Sequence, residues 1–205
     1  MTILPVKGVE NVLQQFAVSL TNSLLKQDIV KEEDREIYVY GFEAMLSTVV
    51  NTVIVIAIGI FAGLLSQTLV FLISFAVLRV FCGGYHAKTH FGCIFTFLVL
   101  YGLAMVSAAF IPLQYAAALS CFIGAVSTLF IFKYAPIEHK NRPILDNEFA
   151  SFHRISRITA VVEFIIVMII SLFFPGLIKF ALIIATAMLC VVFIMAFAKI
   201  IERMR

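Results

Sequence analysis

The chain has 205 residues, of which 62% are hydrophobic and 13% charged, and a formal net charge of +3; its mean hydropathy is +1.08. A soluble domain carries about 45–50% apolar and about 25% charged residues, so a water-soluble globule is excluded and lipid must cover the surplus apolar surface. The small, scattered positive charge argues against nucleic acid as a partner, and four cysteines in so apolar a chain are not the framework of a small secreted scaffold. The composition therefore predicts an all-α polytopic membrane protein, one integral-membrane domain over residues 1–205.

Residues 1–40 hold no uninterrupted apolar stretch of the kind a cleavable signal peptide needs, and read as a polar N-terminal region. Within it, VENVLQQFAVSLTNSLL (9–25) has helical periodicity. At about 100° per residue Val9, Val12, Leu13, Phe16, Leu20 and Leu24 share one face, opposite Gln14, Ser19 and Lys26. Such a helix lies in the headgroup region of a bilayer or offers a docking face to another amphipathic helix. KEEDREI (31–37) reads as a solvated helix face.

Six apolar stretches follow, at about 41–65, 67–81, 93–111, 113–133, 159–175 and 177–198, close to the roughly 17–25 residues that a span requires. GLLSQ (63–67), IPLQ (111–114) and FPG (174–176) supply turns between them, so the spans read as three helical hairpins. The short second span keeps four spans with two re-entrant segments as the alternative. Lys7, Lys26, Lys31 and Arg35 precede the first span. Arg79 and Lys88 lie in the second connection, and Lys133, Lys140, Arg142, Arg154 and Arg157 in the fourth. Lys199, Arg203 and Arg205 follow the last span. With six spans these basic groups share one side, which the positive-inside rule makes cytoplasmic, together with both termini and the 199–205 tail.

Reactive residues are concentrated in RVFCGGYHAKTHFGC (79–93). A thiol becomes a nucleophile when a neighbouring imidazole takes its proton, and here Cys93 and Cys82 are candidate nucleophiles and His86 and His90 candidate bases. On one continuous helix His90 and Cys93 are near neighbours at i and i+3, whereas His86 and Cys93 are roughly 10 Å apart along the axis. His86 reaches Cys93 only if the chain unwinds or folds back, which Gly83-Gly84 and Gly92 make feasible. Spacing alone therefore leaves the base open. It also leaves open a metal site, since His86, His90 and Cys93 form H-x3-H-x2-C with Cys82 nearby, and a merely polar interfacial loop.

The pattern of Arg79, Gly83-Gly84, His86-Ala87 and Cys93 resembles the signature of the accessory gene regulator B (AgrB) family, integral-membrane cysteine endopeptidases that process quorum-sensing peptide precursors. Length, span number and the basic connection APIEHKNRPI (135–144) resemble the family as well. The resemblance implies a thiol protease of the bacterial plasma membrane, without cofactor or metal, in which Cys93 and His86 are catalytic and Arg79, Gly83 and Gly84 supporting. It assigns His90 no role and requires that residues 86–93 not form one straight helix. Backbone N–H groups at Gly83-Gly84 or before Cys93 are candidate oxyanion donors. Arg79 either holds an acidic substrate segment or snorkels at a helix end; Lys88 is positive-inside charge. Glu43 and Glu163, about one turn inside the starts of spans one and five, suit helix N-termini or pair with Arg79 or His86. The implied substrate is an amphipathic, membrane-associated precursor of an autoinducing peptide, received by the face of Val12, Phe16, Leu20 and Leu24 unless that face is a homodimer contact. A membrane peptide transporter and a metal-binding scaffold using His86, His90 and Cys93 are the competing functions.

Overall fold

A peptide group inside hydrocarbon has no water to bond, so a spanning segment must satisfy its own backbone. The computed structural model does this with α-helices, seven among the described residues, of which six are candidate spans. It describes the backbone of residues 7–84, 90–137 and 146–203 and the side chains of 14–84, 92–137 and 149–201. The helices are α1 (Lys7–Leu25), α2 (Arg35–Phe61), α3 (Leu65–Cys82), α4 (His90–Phe110), α5 (Leu113–Tyr134), α6 (Asp146–Phe173) and α7 (Ile178–Arg203), with 3₁₀ turns at Glu32–Asp34 and Pro175–Leu177. Among the described residues there is no strand, and Gly83 and Ile137 form an isolated parallel bridge.

Helices α2 to α7 are each long and apolar enough to cross a membrane, as the sequence predicts. Even α3, with 18 residues, extends about 27 Å at 1.5 Å per residue, close to the roughly 30 Å of a hydrocarbon core. Two helices start earlier than the apolar stretches do: α2 at Arg35 rather than about 41, and α6 at Asp146 rather than about 159. The physical reason is simple. Hydropathy marks where lipid begins, whereas the hydrogen-bonded ladder continues through polar residues for as long as their propensity allows.

The chain divides into two compact units, Met1–Val55 with Ala87–Leu98, and Ile56–His86 with Val99–Arg205. In the larger unit α7 packs against α3, α5 and α6 and is the most buried of the spans, with Ala181, Leu182, Ala185, Met188, Val191 and Met195 all closed off. A bilayer gives apolar helices no hydrophobic reason to associate, so close van der Waals packing between small residues drives it instead. Helix α5 shows this: Ala116, Ser120, Gly124, Ser127 and Thr128 are its buried seam. Two of its three hydroxyls are satisfied within the helix: Ser120 donates to the Ala116 carbonyl at 2.6 Å and Thr128 to that of Gly124 at 2.8 Å, while Ser127 Oγ has no partner among the described residues. Thr68 and Tyr101 share a buried hydrogen bond at 2.7 Å. Ile73, Leu103, Phe122, Leu129 and Leu172 stay exposed on the protein, as lipid-facing side chains should.

In the smaller unit α1 buries Ala17 and Thr21 completely, whereas Phe16 is 61% and Leu20 40% exposed. The buried positions are thus one residue round from the bulky apolar face that periodicity selects, and both are small residues at i and i+4. Thr21 donates to the Ala17 carbonyl at 2.9 Å. The polar run that follows is not one helix face but a 3₁₀ turn and the start of α2. There Arg35 faces Glu32 at 3.8 Å and donates to Asn22 of α1 at 3.4 Å.

Seam packing predicts opposite outcomes at two helical glycines. A Cβ at Gly124 would lie 2.8 Å from the Phe164 ring, whereas one at Gly102 meets nothing within 4 Å. Gly124→Ala should lower thermal stability in detergent by about 1–3 kcal/mol through overpacking. Gly102→Ala should leave it unchanged or raise it by up to about 1 kcal/mol through helix propensity.

Candidate functional site

The last carbonyls of a helix have no partners within it, and α3 ends at Cys82 in a way that supplies them from outside. The Ile137 N–H donates to the Cys82 carbonyl at 3.0 Å, and the Gly84 N–H donates to the Ile137 carbonyl at 3.2 Å. The Arg79 guanidinium, one turn before the helix end, donates to the Gly83 carbonyl, where a cation is also favoured by the helix dipole. Gly83 and Gly84 have φ of 69° and 116°, a region that side chains other than glycine avoid. A Cβ on Gly83 would run into the Ile137 carbonyl oxygen, and one on Gly84 would sit 3.2 Å from Ile194 Cγ2 and 3.3 Å from Arg79 Nη1. The structure therefore brings Arg79, Gly83 and Gly84 together, and ties the start of the reactive segment to the start of APIEHKNRPI.

This termination corrects one expectation about catalysis. The Gly84 N–H is committed to Ile137 and is not free to hold an oxyanion. Arg79 has a defined task beyond snorkelling, as a cap on the Gly-Gly turn.

Helix α4 takes up the chain at His90. His90 and Cys93 share its first turn, while the side chain of His90, and His86 and Lys88 altogether, lie outside the described residues. So does the expected return of His86 towards Cys93. Burial separates the two candidate nucleophiles. Cys82 is 0% exposed, closed to any peptide, whereas the Cys93 thiol is half-buried. Cys190 is buried too and donates to the Leu100 carbonyl at 3.8 Å.

Beside Cys93 stands a residue that spacing arguments passed over. Asn51 of α2, 6% exposed, directs Nδ2 at Cys93 Sγ at 3.9 Å. Its Oδ1 and the Oγ of Ser47, one turn earlier, are buried without a hydrogen-bond partner among the described residues. The available signal was Ser47 and Asn51 at i and i+4 in the mostly apolar run of α2, beside Thr48 and Thr52, since polar groups at membrane depth are costly and mark function.

The two acids also depart from expectation. Glu163 is eighteenth in α6, counting from Asp146, and Glu43 ninth in α2, counting from Arg35, so neither belongs to a first turn and the helix-dipole explanation fails. Glu163 is 7% exposed and accepts a 2.6 Å hydrogen bond from Ser74 of α3. Of the receiving face, Phe16 and Leu20 are exposed, Leu24 is half-buried, and the Val12 side chain lies outside the described residues. No three His, Cys, Asp or Glu among the described residues are grouped to hold a metal; His86 and His90 are not among them.

The sequence model of a family described as Accessory gene regulator B matches residues 17–197. The chain belongs to that family. It is 27% identical to an AgrB-like protein 2 of Clostridium perfringens strain 13 over 143 residues, 66% of this chain and 64% of that one. It is 29% identical over 119 residues to an AgrB-like protein of Clostridium perfringens strain SM101, covering 55% of each, and 30% identical over 132 residues to one of Listeria innocua, covering 63% of each. The matches thus span less than two thirds of the length of these relatives. No solved structure matches the chain. Six apolar helices and this membership together make it a multi-pass membrane protein of the AgrB family.

Two measurements follow from the geometry. In the native protein Cys93 should be alkylated well before Cys82 and Cys190, which mass spectrometry of iodoacetamide-treated protein reads directly. Gly63, with φ of 68° and nothing within 4 Å of an added Cβ, controls for backbone strain. Gly63→Ala should cost the roughly 1–3 kcal/mol of a non-glycine residue in that region. Gly83→Ala should cost more, and should release the Gly84 amide to fast hydrogen exchange.

Proposed function

We propose that the protein is a membrane-embedded cysteine endopeptidase that cleaves the C-terminal part from an autoinducing-peptide precursor and permits its cyclisation. The observation that carries this is a partly exposed cysteine, Cys93, in the first turn of an apolar helix, in a chain that belongs to the AgrB family. His86 takes the proton of the Cys93 thiol, and the thiolate adds to a peptide carbonyl carbon. Collapse breaks the C–N bond. The departing amine takes the proton back from His86 and leaves the N-terminal part of the substrate on Cys93 as a thioester. A thiol within that part then attacks the thioester carbon, closing a thiolactone as the bond from that carbon to Cys93 Sγ breaks, and the Cys93 thiolate takes the proton the attacking thiol gives up; a hydroxyl would close a lactone. The exchange of one thioester for another is nearly isoenergetic, so the ring forms without ATP provided water is kept from the acyl-enzyme.

In this proposal both termini and residues 79–93 face the cytoplasm of a bacterium, as the distribution of Lys and Arg requires. The precursor arrives as an amphipathic helix on the inner leaflet, and α1 meets it with Val12, Phe16, Leu20 and Leu24. The exposure of Phe16 and Leu20 supports that role.

Purified protein in liposomes supplied with a precursor peptide should accumulate a thioester. It should be absent in Cys93→Ser, fall by about 10²–10⁴-fold in His86→Ala, the usual contribution of a general base, and survive in His90→Ala. A thioester retained by Cys93→Ser would reject the assignment, and loss in both histidine variants together with bound zinc would favour a metal site. In the double variant Phe16→Asp and Leu20→Asp, processing should fall at least tenfold, given about 1.5–3 kcal/mol for each large apolar side chain buried. Unchanged processing and oligomeric state would remove α1 from the account.

A further inference from the structure

Acyl transfer at a thiol needs a hydrogen-bond donor aimed at the carbonyl oxygen as it becomes an oxyanion. The Gly84 N–H is engaged by Ile137, and the geometry points to Asn51: its Nδ2–H is an oxyanion donor of Cys93. The inference rests on Cys93 being the nucleophile, as proposed above.

Three observations converge on it. Nδ2 stands 3.9 Å from Cys93 Sγ, at the outer edge of contact with sulfur itself. An oxygen carried by the carbon that the sulfur attacks, if it is on the Asn51 side of Sγ, can come within the roughly 2.7–3.1 Å at which such donors act. Asn51 is also 6% exposed in an apolar helix, and a donor shielded from water stabilises developing charge far more than a solvated one. Finally, Asn51 Oδ1 and Ser47 Oγ are buried and unpartnered among the described residues, as are Ser127 Oγ, Ser171 Oγ and Arg157 Nε, but only Asn51 also directs a donor at a cysteine sulfur. Asn51 and Ser47 lie one turn apart on the same face of α2.

The step balances without any other reactant. A sulfur electron pair forms the S–C bond while the carbonyl π pair moves onto oxygen, where Nδ2–H holds it. The pair then returns to re-form C=O, and the leaving group departs with its bonding electrons and a proton supplied by His86.

The test compares two reagents that acylate or alkylate the same sulfur by different routes. p-Nitrophenyl acetate transfers its acetyl group through an oxyanion, whereas iodoacetamide is displaced at a saturated carbon and forms none. The protein is used in liposomes, and the rates are taken as the part lost in Cys93→Ser. In Asn51→Ala and in the near-isosteric Asn51→Leu, the p-nitrophenolate burst should slow by about 10²-fold, the lower end of what one oxyanion donor contributes, with alkylation of Cys93 unchanged. Asn51→Gln, which keeps the amide on a longer arm, should regain part of the burst. A burst that is unchanged in Asn51→Leu, or that falls in step with alkylation, overturns the assignment and leaves Asn51 with a packing role. A wild-type burst that persists in Cys93→Ser overturns the nucleophile instead.

Discussion

Ending a helix at the edge of a bilayer leaves carbonyl groups that neither the helix nor hydrocarbon can satisfy. At the end of α3 the carbonyls of Cys82 and Gly83 are met by the Ile137 N–H and the Arg79 guanidinium, and the Gly84 N–H returns a bond to Ile137. This exchange accounts for several residues at once. Glycine is needed at 83 because the Ile137 carbonyl occupies the space of a side chain, and arginine at 79 because a planar fork one turn back reaches the exposed carbonyl. Two connections far apart in sequence are thereby fixed to each other, and the reactive segment departs from a defined point.

Burial then sorts residues that the sequence treats as equals. Cys82 and Cys93 stand in one short motif, yet Cys82 is sealed within the helical packing and Cys93 is reachable. The same sorting separates the polar groups of the spans. Most hydroxyls turn back onto carbonyls of their own helices, as Ser120 and Thr128 do, and Glu163 finds Ser74 on a neighbouring helix. Asn51 is different in kind. Its amide reaches the sulfur of Cys93 on another helix, and among the described residues its own oxygen has no hydrogen-bond partner.

Helix α1 carries the same logic to the surface. Its small residues Ala17 and Thr21 form the packed seam, and its bulky Phe16 and Leu20 remain outside. Helical periodicity finds the most apolar face. A membrane protein uses its least bulky face to pack and offers the apolar one to lipid or to a partner.

Much was legible from the chain alone. Span number, short turns and helical class follow from hydrophobic runs of bilayer length, because the cost of unsatisfied backbone in lipid leaves few other solutions. The clustering of thiol, imidazole, guanidinium and glycine in residues 79–93, and the family they resemble, are likewise properties of order and spacing. Tertiary structure alone decided that Cys82 is closed and Cys93 open, that the Gly84 N–H is spent on Ile137, and that α2 delivers Asn51 to the sulfur from 42 positions away. Those outcomes depend on contacts between distant segments. A polar residue inside an apolar run looks the same in sequence whether it bonds its own backbone, a neighbouring helix or a reacting atom.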